Sequence, residues 1–118
     1  MEIEELKQIL LDKQASYIHY PFGEGYMTIQ IENKMFALVS EKDNPLRINL
    51  KCDPNDAIAY REIYESVTAG YHMNKKHWNT VILDNSVPKE VIKDMIDHSY
   101  ELVFNKLTKK QKEKVLSA

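Results

Sequence analysis

The chain has 118 residues, a formal net charge of −2, and 43% apolar against 29% charged residues, the proportions of one globular domain with a single hydrophobic core. Its apolar runs are too short to span a bilayer, and the acidic start Met1-Glu2-Ile3-Glu4-Glu5 lacks the basic and apolar stretches of a secretory signal. A single cysteine, Cys52, excludes an intrachain disulfide framework and a thiolate metal cluster, so the expected compartment is the cytoplasm.

Residues 2–13 read as an amphipathic helix, with Ile3, Leu6, Ile9 and Leu10 at helical spacing. Tyr20-Pro21-Phe22-Gly23-Glu24-Gly25 breaks it, because proline and glycine there mark a loop. In Tyr26–Ile31 the apolar Met27, Ile29 and Ile31 alternate with Thr28 and Gln30, the pattern of a strand buried on one face. Glu32-Asn33-Lys34 turns the chain into a hairpin partner at Met35–Val39, and Asp43-Asn44-Pro45 turns it again. The next strand alternates most cleanly: Leu46, Ile48 and Leu50 face one way, Arg47, Asn49 and Lys51 the other.

Asp53 suits the N-cap and Pro54 the first turn of a helix whose Ala57, Ile58 and Tyr64 can face the core, and which has ended by Gly70. A strand follows at about Trp78–Leu83. Asp84-Asn85-Ser86 then turns into a long helix over 87–105, with Pro88 in its first turn and a stripe of Val91, Ile92, Met95, Ile96, Leu102 and Val103. Residues 108–116 form a short basic helix. The order predicts one α+β domain over 1–118, a two-layer fold whose antiparallel sheet (a three-strand meander plus at least one later strand) is covered by helices.

The segment Tyr71-His72-Met73-Asn74-Lys75-Lys76-His77-Trp78-Asn79-Thr80-Val81 concentrates cations, amides and aromatic rings, including the chain's only tryptophan. Such groups need partners once buried, whereas on a surface they contact phosphates and stack on bases. Lys75 and Lys76 fit phosphate, Asn74 or Asn79 a base or sugar, and Tyr71 or Trp78 a stacking role. The competing reading puts Trp78 in the core and uses Asn74 and His72 to tie down a loop. Arg47, Asn49 and Lys51 follow one another at about 6.5–7 Å along one strand face, close to the spacing of phosphates on a nucleic-acid strand. The same row also suits a plain solvent face. The acidic start and the basic finish, with Lys106, Lys109, Lys110, Lys112 and Lys114, allow a local positive face despite the overall charge.

Catalytic signals are weak. His72 and His77 lack metal-ligand spacing, and Asp94 with His98, at i, i+4, fits a side-chain hydrogen bond. Cys52 precedes a helix N-terminus, which can lower a thiol pKa and make a nucleophilic pair with His72 or His77, although a lone cysteine at a strand end also serves as a small hydrophobe. There is no Gly-rich phosphate loop and no Gly-x-Ser-x-Gly elbow. The expectation is a protein that is not an enzyme and has no metal or cofactor.

Asn44-Pro45-Leu46-Arg47-Ile48-Asn49-Leu50-Lys51-Cys52-Asp53-Pro54, the Tyr71–Val81 segment and Asp97-His98-Ser99-Tyr100-Glu101-Leu102-Val103 together resemble the MmcQ/YjbR family. Tyr20-Pro21-Phe22-Gly23 and Lys34-Met35-Phe36-Ala37-Leu38 fit it too, so the resemblance runs from about residue 17 to residue 107. It implies a compact α+β fold of the double-wing or CyaY-like kind and a DNA-binding role. The resulting expectation is DNA contact through Arg47, Asn49, Lys51, Tyr71, Asn74, Lys75, Lys76 and Asn79. The alternative is a module for a protein, peptide or small ligand on the same surface, which the near-neutral charge and seven tyrosines favour.

Overall fold

A computed structural model describes residues 1–70 and 73–118. The N-terminal helix forms over Ile3–Leu11 (α1) and buries Leu6 and Leu10 completely. Strands follow at Tyr17–His19 (β1), Tyr26–Ile31 (β2), Lys34–Ser40 (β3) and Arg47–Lys51 (β4). Helix Pro54–Ile63 (α2) is capped by Asp53, whose carboxylate accepts the backbone N–H groups of Asn55 and Asp56. Two more strands, Val67–Ala69 (β5) and Trp78–Ile82 (β6), precede helices Lys89–Asn105 (α3) and Lys109–Leu116 (α4). Pro88 is the N-cap of α3 rather than a residue of its first turn. A reciprocal capping box of Thr108 and Gln111 starts α4.

The strands make one antiparallel six-stranded sheet in the order β1-β2-β3-β4-β6-β5. The predicted meander is β2-β3-β4, and β6 is the later strand beside it. β1 and β5, which the sequence pattern does not signal, add one short strand at each edge. One face carries the core. There Ile29, Val39, Ile48, Leu50 and Val81 meet Leu6 and Leu10 of α1 and Ile92 and Ile96 of α3. Ile58, by contrast, is half exposed, because α2 lies beside the edge strand β5 and turns only Ala57 fully inward.

A bulge alters β3. Ile29 pairs with Ala37 but Gln30 pairs with Met35, which leaves Phe36 as the extra residue. Phe36 and Ala37 are consequently both buried, and the Phe36 ring meets Tyr100 edge-on at 5.3 Å. Ser99 sits fully buried at this point: its Oγ donates to the Phe36 carbonyl (2.6 Å) and accepts the Lys51 N–H (2.9 Å), fastening α3 to β3 and β4.

Among the described residues, no helix lies over the opposite face of the sheet. Its outward residues Thr28, Gln30, Asn49 and Thr80 are nevertheless buried: loops around residues 20–25 and 41–45, with Met73, rise about Asn49 and Thr80, while the Thr28 hydroxyl donates to the His19 carbonyl of β1 and accepts the Gln30 amide.

Candidate functional site

Those loops and the helix-free face enclose an open hollow of about 660 Å³. Leu38, Ser40, Asn49 and Thr80 form its floor, and Phe22, Tyr26, Lys42, Asp43, Arg47 and Met73 its walls and rim. β3, β4 and β6 supply the floor because Leu38 pairs with Asn49, and Asn49 with Thr80, which stacks these side chains across one face. Asn49 is only 5% exposed, and its Oδ1 accepts the Thr80 hydroxyl at 2.5 Å. Its amide nitrogen has no hydrogen-bond partner among the described residues. Arg47 stands at the rim with its Nε 3.7 Å from the Asp43 carboxylate.

The predicted row of Arg47, Asn49 and Lys51 is therefore divided. Arg47 and Asn49 belong to the hollow, with Asn49 at its bottom and not free on an open face. Lys51 is partly buried at the end of β4, where burial first, and then the neighbouring Lys106 ammonium, hold its pKa below the ordinary lysine value. Neither lysine has a carboxylate within ion-pair distance among the described residues.

Lys75 and Lys76 are exposed on a turn beside that end of the sheet. Asn74 builds the turn: its side chain accepts the Lys76 N–H (2.9 Å), and its carbonyl accepts the N–H groups of His77 and Trp78. The Cys52 N–H, donated to the His77 carbonyl at 2.8 Å, fastens the turn to β4, and Arg61 braces it through the Lys75 carbonyl. Gly70 has a related role. A Cβ there would lie 2.8 Å from that of Trp78, so only glycine permits the close approach that brings its N–H to the Trp78 carbonyl. Tyr71, with His72, lies outside the described residues.

Two sequence-based expectations, for Asn79 and for the Asp94–His98 pair, need correction. Asn79 is 4% exposed on the helix-covered face, where its amide donates to the Ala57 carbonyl (3.2 Å), so it is a buried brace for α2 and not part of the surface. Of the two readings of Cys52 the small hydrophobe holds: the thiol is buried and its pKa rises to about 11, pushed up first by burial and then by the Asp56 and Asp53 charges. His98 does not partner Asp94: its Nε2 accepts the Asp53 N–H at 3.2 Å, tying α3 to the start of α2. Among the described residues no group of three or more His, Cys, Asp or Glu could hold a metal ion, and no helix is long and apolar enough to cross a membrane.

Several residues of the site carry no motif. Nothing in the sequence marks Phe22, Tyr26, Leu38 or Ser40 for a binding site, and Lys106 stands out only within the basic finish, since the sheet register and the loops alone bring the first four together and packing alone brings Lys106 to Lys51. The one available signal is the polar set at alternate positions of neighbouring strands, Thr28 and Gln30 with Asn49.

An antiparallel sheet with helices on one face and a loop-rimmed hollow on the other defines a small two-layer α+β domain. The family profile YjbR matches residues 11–102, and the chain belongs to the YjbR family. It is 35% identical over 112 residues to the protein YbdF of Escherichia coli O157:H7, covering 95% of this chain and 92% of that protein. It is 34% identical to YjbR of Escherichia coli K12 over 116 residues, 98% of each chain. A crystal structure of a Deinococcus radiodurans protein with a DUF419 domain superposes with a TM-score of 0.90 at 32% identity, covering 96% of this chain and 86% of that one.

Proposed function

We propose that this protein is a non-enzymatic DNA-binding domain that takes the phosphate backbone at the basic end of its sheet, through Lys51, Lys106, Lys75 and Lys76. The observation that carries the reading is the braced turn that presents two exposed cations, Lys75 and Lys76, beside the end of β4 where Lys51 lies. At Lys51, burial first and then the neighbouring Lys106 charge disfavour the ammonium form, and a bound phosphate offsets that cost. The turn with Lys75 and Lys76 lies beside them and is braced by Asn74, Cys52 and Arg61, so its cations sit on a fixed backbone. A braced turn loses less freedom on binding than a loose loop. The withdrawn Cys52 thiol supports a role in binding over one in catalysis.

The test is a titration against a fluorescent random-sequence duplex and its single strand at low and near-physiological salt. Binding falls steeply with salt. Each phosphate that a variant no longer neutralises flattens the slope of log affinity against log salt by about 0.9 on duplex. Lys75→Glu/Lys76→Glu and Lys51→Gln/Lys106→Gln each weaken binding. No binding at low salt, or full binding by both variants, overturns the reading.

A further inference from the structure

We infer that the hollow on the helix-free face is a binding site for a small planar anion: an aromatic or heteroaromatic ring that bears a carboxylate or phosphate and a hydrogen-bond acceptor. The inference stands apart from the DNA reading, because Arg47 and Asn49 lie here and the lysines of that reading do not.

Four observations define the ligand. The volume, about 660 Å³, is within the range of small-molecule sites. At the bottom, Asn49 is 5% exposed, its Oδ1 held by the Thr80 hydroxyl, and its amide nitrogen, which meets no acceptor among the described residues, is a fixed donor open to the hollow. A donor held in one orientation at the bottom of a pocket selects a ligand that brings an acceptor to it.

At the rim, Arg47 and Lys42 outnumber Asp43, and Arg47 meets that carboxylate only through Nε at 3.7 Å, which keeps its guanidinium fork available for an anion. The walls carry Phe22 and Tyr26, which are 63% and 48% exposed; two such rings at the mouth of one hollow offer flat faces to a flat ligand. Arg47 and Asn49 are two residues apart on β4, so the anionic group and the acceptor are separated by about 7 Å, the scale of a substituted ring or a mononucleotide.

The test follows backbone amide resonances of the ¹⁵N-labelled protein during titration with uridine 5′-monophosphate and 4-hydroxybenzoate, whose ring oxygen supplies the acceptor, beside the uncharged uridine and 4-hydroxybenzamide. The anions are expected to shift the amides of Leu38, Ser40 and Asn49, and the uncharged analogues to bind about tenfold more weakly. Preference for the nucleotide assigns phosphate as the anionic group, and preference for 4-hydroxybenzoate assigns carboxylate. Arg47→Gln, a change at an exposed position, should reduce affinity by about tenfold, while Lys75→Glu/Lys76→Glu leaves it unchanged. The inference is overturned if neither anion shifts the hollow at millimolar concentration, if the shifts fall on residues 74–77 instead, or if Arg47→Gln binds as tightly as the parent.

Discussion

Asn49 and Asn79 look alike in sequence, each an amide within a strand, yet the sheet gives them opposite surroundings. Asn79 is followed by Thr80, so two consecutive polar residues leave the phase of β6 open, and only pairing decides it: Asn79 falls opposite Leu50 and takes the core face, Thr80 opposite Asn49. Asn49 sits in an unambiguous alternation. Its face is legible, but its burial is not, because that comes from loops distant in sequence. Cys52 follows the same logic, since the sequence offers both a thiol activated by a helix start and a small hydrophobe at a strand end, and the packed structure decides for the second. A pKa of about 11 in the folded chain, against an ordinary value of 9.0, has a definite sign. The unfolded chain ionises first, so this group's contribution to stability is intact below pH 9 and is lost as pH rises from 9 toward 11. At pH 8 a disulfide reagent should label native Cys52 slowly and the denatured chain at once; fast native labelling would contradict the burial.

Among the elements, the hairpin of β2 and β3 separates what local sequence specifies from what it does not. Its turn is signalled by polar residues, and it is a two-residue loop with Glu32 at φ +45° and Asn33 at φ +64°. Both positions are left-handed, as a type I′ hairpin requires, and glutamate is poorly suited to that region. Glu32→Asn should therefore raise stability by about 0.5–1 kcal/mol. A urea midpoint that fails to rise would show that Glu32 makes a compensating contribution. Asn33 is better left alone, because its N–H and side chain both meet the Tyr17 hydroxyl. The bulge a few residues later has no comparable signal: Met35-Phe36-Ala37-Leu38-Val39 is apolar throughout, so alternation cannot reveal which residue is extra. β1 and β5, at three residues each, are shorter than any periodicity can register, and pairing with β2 and β6 creates them.

For the molecule as a whole, the class and the order of elements are legible because amphipathic helices and alternating strands each declare a buried face. The placement of β6 between β4 and β5, the union of Lys51 with Lys106, and the hollow all depend on contacts between distant segments. The C-terminal helix joins the domain in this way. Val115 of α4 is 1% exposed within the core cluster, the Gln14 side chain donates to the Leu116 carbonyl, and the Lys112 ammonium lies 5.8 Å from the Phe104 ring centre. Removing residues 109–118 should cost at least about 1.5–3 kcal/mol, the value of burying one such aliphatic side chain. Denaturation of the shortened chain measures it, and an unchanged midpoint would mean that α4 is an appendage. The lengths of the two edge strands bear on how copies of the molecule meet. An incoming strand finds a template of only three residues at either margin, too short a ladder to seed lateral growth of the sheet, and such brevity is one way proteins resist polymerising edge to edge. Self-association, where it occurs, is thereby left to side-chain surfaces, which single substitutions can tune or abolish.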